Sequence, residues 1–139
     1  MSIFVNLFKK KPVIAADDPV FGRITFEQGI WAFIPKSPTE GFMITVDASE
    51  SGRSQLQRDV FQKIRASLSD FELRARDFMR TRVEPGVEVA DLSVYSVEVG
   101  SNDESRRQRF VLEMSDSEAI VIHRVSFCGS EAIDYGYDT

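Results

Sequence analysis

Histidine and cysteine are almost missing from this chain: among 139 residues there is one of each, His123 and Cys128. A single cysteine excludes an intrachain disulfide and any thiol pair that could run redox exchange. A zinc site needs three or four nitrogen or thiolate ligands, and one histidine with one cysteine five positions later cannot supply them. The Gly-x-Gly-x-x-Gly, Gly-x-x-x-x-Gly-Lys-Ser/Thr and Gly-x-Ser-x-Gly fingerprints of nucleotide binding and hydrolysis are lacking as well. No run approaches the eighteen or more apolar residues of a membrane span, and the N-terminus lacks the order of charge, apolar run and cleavage site that export needs. Positive charge is also in deficit: the formal net charge is −5 and the pI about 4.9, which disfavours a general nucleic-acid binder. The expectation is a cytoplasmic chain with no cofactor, no metal and no nucleic-acid partner.

What is abundant is apolar patterning. At 42% hydrophobic residues the chain is long enough for one core and too short for two ordinary domains. Residues 54–83 carry Leu56, Val60, Ile64, Leu68, Phe71, Ala75 and Phe78 at steps of three and four, the stripe of one helix face. Ser54 with Gln57 reads as a capping box at its start, and Pro85-Gly86 ends it. A second Ser-x-x-Glu box, Ser69 to Glu72, places a bend or helix junction in mid-stretch. This segment is also the basic element of an acidic protein. Residues 53–82 hold eight Lys or Arg against four Asp or Glu, leaving −9 for the rest of the chain. Asp59 with Lys63, Asp70 with Arg74 and Glu72 with Arg76 are acid-first pairs at i, i+4.

Elsewhere the period is two. Phe21 to Glu27, Ile30 to Ile34 and Phe42 to Val46 read as three strands before the helix. After it come a strand over residues 89–99 with a bulge or change of face, a short strand at Phe110, Leu112 and Met114, a central strand over 119–127, and an edge strand at Ile133, Tyr135 and Tyr137. Strands in blocks around a helix make an α+β fold: a mostly antiparallel sheet of six or seven strands in the order βββ-α(α)-βββ(β), one face covered by the long helix. Residues 17–139 form the single domain and residues 1–16 a flexible tail, with Ala15 to Asp18 as its linker. In the tail Ile3, Phe4, Val5, Leu7 and Phe8 precede Lys9-Lys10-Lys11, a composition that also suits a weak interfacial anchor or docking peptide from Met1 to Lys11.

Candidate chemistry is sparse. His123 lies inside an apolar strand, where an imidazole hydrogen-bonded to a neighbour is the default. Cys128, five positions along a strand from it, falls on the opposite face, which argues against an activated pair. The visible carboxylate groups, Asp17-Asp18, Asp103-Glu104 and Glu131 with Asp134, fall in expected loops or near the terminus. Trp31 and Phe33 suit the core, and Tyr135 and Tyr137 suit a binding surface, where tyrosine is enriched.

The run Asp18-Pro19-Val20-Phe21-Gly22-Arg23-Ile24, then Trp31, the long helix, and His123-Arg124-Val125-Ser126-Phe127 before Asp134 and Asp138 resembles small bacterial domains of unknown function. Those open with Asp-Pro-x-Phe/Leu-Gly and close with a His-centred strand. Such domains often carry a glycine beside the histidine, where this chain has Ile122 and Arg124. Some relatives of this type resemble immunity proteins encoded beside polymorphic toxins. The resemblance implies a non-enzymatic binding role and names no partner. Taken with the composition, the expectation is a domain that binds another protein, in one form an immunity-type inhibitor of a toxin, with Tyr135, Tyr137, Asp134, Asp138 and His123 as candidate contacts. A homodimer, an accessory domain docking through its N-terminal segment, and, last, an enzyme using loop carboxylates are the alternatives.

Overall fold

The computed structural model describes residues 14–27, 30–33, 41–47, 54–100 and 109–138. Its elements run β1 (Ile14–Asp18), β2 (Gly22–Glu27), β3 (Ile30–Phe33), β4 (Met43–Val46), α1 (Gln55–Ala66), α2 (Leu68–Arg80), a 3-10 turn at Val89–Asp91, β5 (Ser93–Val99), β6 (Arg109–Ser115), β7 (Ile122–Cys128) and β8 (Glu131–Asp138). The strands lie in one eight-stranded sheet in sequence order. Every neighbouring pair is antiparallel except β4 with β5, which is parallel. Parallel neighbours need a long crossover, and the two helices supply it. The class is α+β and the sheet mostly antiparallel, as expected.

Strand number and order depart from the sequence reading. The block before the helices holds four strands, not three, because residues 14–18 pair with β2 instead of forming a linker. Ala15, Ala16 and Asp17 have weak strand propensity, and what puts them in the sheet is the turn that follows. Asp18 Oδ1 accepts from the backbone N–H of Val20 at 2.9 Å and of Phe21 at 3.2 Å, and Gly22 takes a left-handed φ of +80°. The Asp-Pro-Val-Phe-Gly run is thus a hairpin turn closed by its own first side chain. Asp18 also accepts from Arg58 Nε and Nη2 of α1, the latter at 2.9 Å, and the carboxylate is fully buried. The ordered domain therefore begins before Asp17; residues 1–13, with the apolar and lysine-rich tail, lie outside the described residues.

The helical stripe is divided. Ser67 separates α1 from α2, two residues ahead of the expected Ser69 box, and no side chain caps α2. At the start of α1 the Ser54–Gln57 box is complete in both directions. The Gln57 amide does more: it is buried, and its Nε2 donates to the carbonyls of Asp47 at 2.7 Å and Gly100 at 2.9 Å, just past the C-terminal ends of β4 and β5. Of the three acid-first pairs only Glu72–Arg76 forms, at 3.3 Å. Asp59 instead accepts from Gln55, and Arg74 donates to the Ser130 carbonyl.

Both helices pack on one face of the sheet. Val60, Phe61 and Ile64 of α1 and Phe71, Ala75 and Met79 of α2 are buried against Ile24, Trp31, Val46, Val97, Val99, Phe110, Leu112, Met114, Val125 and Phe127. Phe110 and Phe127 stack at 4.9 Å, and the Phe71 edge meets both rings at 5.1 and 5.5 Å. Phe21 from the β1–β2 turn lies 5.1 Å from Phe61. Fully burying side chains of this size stabilises by roughly 2 to 3 kcal/mol each. The strand expected to be central is not: β7 is next to the edge, and Ile120 and Val121 precede it, with Ile120 exposed. The expected bulge is present at Tyr95, between Val94 and Ser96.

Candidate partner-binding surface

Because side chains alternate along a strand, the pairing register decides which candidates meet. In β7–β8, His123 faces Tyr137 and Val125 faces Tyr135, whereas Arg124 faces Gly136, Ser126 faces Asp134 and Ile122 faces Asp138. His123, Tyr135 and Tyr137 therefore lie on the helix side of the sheet and Asp134 and Asp138 on the opposite side. The five candidates share two neighbouring strands but not one surface.

On the helix side, His123 is 4% exposed and its Nδ1 lies 2.8 Å from Tyr135 Oη, a bond whose direction follows the imidazole tautomer. The two rings are near parallel, 6.0 Å between centroids. Burial holds the imidazole below its ordinary pKa, against a smaller upward pull from Asp116, so the ring is neutral at neutral pH. Burial likewise raises Tyr135. Tyr137 is 46% exposed and donates to Glu84 Oε1 at 2.7 Å, and that hydrogen bond raises its pKa. This cluster ties β8 to the segment after α2. It holds a neutral imidazole hydrogen-bonded to one neutral phenol, with a second phenol beside them.

The other side carries a charged row that the sequence reading passed over. Arg124 Nη1 donates to Glu113 Oε2 and Nη2 to Glu98 Oε2, both at 2.8 Å, and Ser96 Oγ donates to Glu113 Oε1. Burial works against the Arg124 charge, but Glu98, Glu113 and Asp138 outweigh it and raise its pKa. One guanidinium thus serves three strands, β5, β6 and β7. A signal was available: Glu98 and Glu113 each stand alone between apolar residues, and Arg124 between His123 and Val125, in three successive strands at the parity opposite to the core. With Asp134 and Asp138 on β8, this outward face has four carboxylates around one cation.

The remaining candidates separate by role. Asp17 is exposed and pairs with Arg23 at 3.2 Å, whereas Asp18 is buried in the β1–β2 turn. Asp103 and Glu104 lie outside the described residues. Cys128 faces Glu131 in the register, one strand period from Ser126, and so sits on the side away from His123. Trp31 is buried in the core and Phe33 packs against it. Among the described residues no group of three or more His, Cys, Asp or Glu is placed to hold a metal ion, and no helix is long and apolar enough to cross a membrane. An open cleft of about 740 Å³ between α2 and the β7–β8 turn is lined by Arg74, Phe78, Arg82, Cys128 and Glu131 among others. An apolar cavity of about 140 Å³ lies between α1, Phe71 and Phe110.

Comparison with protein-family models, with curated proteins and with solved structures gave no match, so the role of this surface has to be argued from its own geometry.

Proposed function

We propose that this chain is a non-enzymatic protein-binding domain whose contact surface is β8 and the outward sheet face beside it, and that its partner is basic there. The observation that carries the reading is the position of β8. It is the last strand of the sheet, with β7 as its one strand neighbour among the described residues, and it presents Glu131, Asp134, Tyr137 and Asp138 exposed. Exposed carboxylates on the outward face, with an exposed tyrosine on the other side of the same edge strand, suit protein recognition, and acidic fields steer basic partners. The raised pKa of the Tyr135 phenol beside His123, and the engagement of Glu98 and Glu113 by Arg124, count against an enzyme reading. Within binding roles, an immunity-type inhibitor of a basic bacterial toxin is the form that this acidic surface and the resemblance of the Asp18 and His123 motifs favour, in a cytoplasmic setting.

The test is comparative capture from the native host, using the full chain and its Asp134→Lys/Asp138→Lys variant, with quantitative mass spectrometry. A basic protein recovered in stoichiometric amount with the wild type and depleted with the folded variant supports the reading. Recovery of the same proteins in the same amounts with both refutes it.

A further inference from the structure

The proposed surface is a strand edge, and an edge accepts a particular kind of partner. Resting on the binding role just given, we infer that the partner enters as an extended segment that adds to β8 as a ninth strand, with Lys or Arg at positions i and i+4. An edge strand leaves a row of backbone N–H and C=O groups to be paired by another chain. Strand β8 runs for eight residues and contains neither proline nor lysine, two of the devices that block such pairing.

Side-chain chemistry then sets what can pair. Along the outward face β8 presents Asp134, Gly136 and Asp138, a carboxylate, a gap and a carboxylate at steps of two. A Cβ built on Gly136 would meet nothing within 4 Å, so the space over it is open. Beyond that gap on β7 stands Arg124, already held by Glu98 and Glu113. A guest strand in register therefore meets an anion, a neutral opening bordered by a cation, and a second anion. Cationic residues at i and i+4 with a small or hydroxyl residue at i+2 match that order, because opposite charges directly across a ladder stabilise and like charges destabilise. The alternate positions, i+1 and i+3, fall on the side of Tyr135 and Tyr137, where apolar side chains can cover the phenol rings.

The same pattern disfavours a second copy of this chain as the occupant. Two β8 strands paired antiparallel about Gly136 would set Asp134 of each against Asp138 of the other, and in parallel register each carboxylate would face its own copy. Both arrangements place like charges opposite one another.

The experiment uses the full chain, labelled with nitrogen-15, and a capped decapeptide built around Lys-Val-Thr-Ile-Lys. The expected result is shifted resonances and slowed hydrogen exchange at β8 amides, with affinity falling about tenfold or more in Asp134→Lys/Asp138→Lys, as loss and reversal of two exposed ion pairs would give. Both positions are exposed, so this variant is expected to fold, which a melting scan checks, and Asp134→Asn/Asp138→Asn provides a milder variant that adds no cation beside Arg124. A peptide with alternate amides N-methylated keeps the charges and removes the ladder. It should not bind. Undiminished binding of the methylated peptide, or peptide binding unaffected by charge reversal, overturns strand addition. So does the absence of any effect at β8 with millimolar peptide. If the peptide fails while the captured native protein still depends on Asp134 and Asp138, strand addition is wrong and the binding role stands; if both fail, the binding role is wrong.

Discussion

Removing the Asp18 carboxylate tests the β1–β2 turn and its tie to α1 in a single change. The side chain is fully buried and serves two backbone N–H groups in the β1–β2 turn as well as the Arg58 fork on α1. In Asp18→Ala the amides of Val20 and Phe21 lose their acceptor, at about 1 kcal/mol apiece where water does not replace it. Arg58 then lies in a largely covered site without a counterion. Breaking a fully buried pair costs about 3 to 5 kcal/mol, but the Arg58 side chain is 22% exposed, so water recovers part of that. The working figure is about 3 to 4 kcal/mol in all, a large share of the roughly 5 to 15 kcal/mol that stabilises a domain. Urea unfolding at neutral pH reads it directly. Asp18→Asn keeps a turn acceptor and loses the charge, so it should fall about midway. Arg58→Met in the Asp18→Ala background should restore part of the loss, a coupling that the double-mutant cycle isolates. Asp17→Ala is the internal control, since its pair with Arg23 is exposed and should cost no more than about 0.5 kcal/mol. If Asp18→Ala proves as mild as Asp17→Ala, or if the cycle shows no coupling, the account of the Asp-Pro-Val-Phe-Gly turn as a buried anchor is wrong.

Other consequences can be measured the same way. Ile64→Ala and Phe71→Ala should each cost about 2 to 5 kcal/mol in denaturant melts, against under about 1 for the exposed Gln62→Ala, and equal midpoints would show that the helical stripe is not the core. Gln57→Ala should cost about 2 to 3 kcal/mol, because it removes a donor to the Asp47 and Gly100 carbonyls and the side-chain acceptor of the Ser54 N–H; a near-neutral result would mean that water replaces the amide. The lowered pKa of His123 means that the unfolded chain takes up its proton more readily than the folded one. Its contribution to stability is thus intact above about pH 6.5 and is lost as pH falls through that value towards the lower folded pKa. Melting scans between pH 7.5 and 5.5, a range chosen to stay above about 4.3 where carboxylates titrate, should slope downwards for the wild type and be flatter for His123→Gln; equal slopes would remove His123 as the source.

Much of the architecture could be read from periodicity, since the apolar steps at Leu56, Val60 and Ile64 and the alternation at Phe110, Leu112 and Met114 report one buried face each. Strand β1 could not, because Ala15 to Asp17 carry no apolar alternation and are held by a turn whose anchor, Arg58, is forty positions away. The extent of β7 was misjudged for a related reason: Ile120 and Val121 are apolar but follow the Asp116 turn, where Asp116 Oδ1 accepts from the N–H of Glu118 and Ala119 and Ala119 takes a positive φ. For the candidate site, the sequence shows His123, Asp134, Tyr135, Tyr137 and Asp138 only as members of two successive strands. Alternation along β8 sets Asp134 and Asp138 opposite to Tyr135 and Tyr137. Which pair joins His123 and which joins Arg124 depends on the register of β7 against β8, which a bulge between Ser126 and Phe127 resets.

The parallel join between β4 and β5 makes the sheet a composite of two antiparallel meanders, each built from neighbours in sequence and each able to form its hairpins without the other. Only the join links them within the sheet, and it brings together residues as distant as Met43 and Ser96. Gln57 binds the carbonyls beyond both strand ends of that join while it also closes the cap of α1. Parting the meanders and fraying the helix are therefore the same event. The expected consequence is a single cooperative unfolding transition, checked by coincident melts from two probes, in which damage to the β1–β2 turn at one edge is felt as lost stability in β8 at the other.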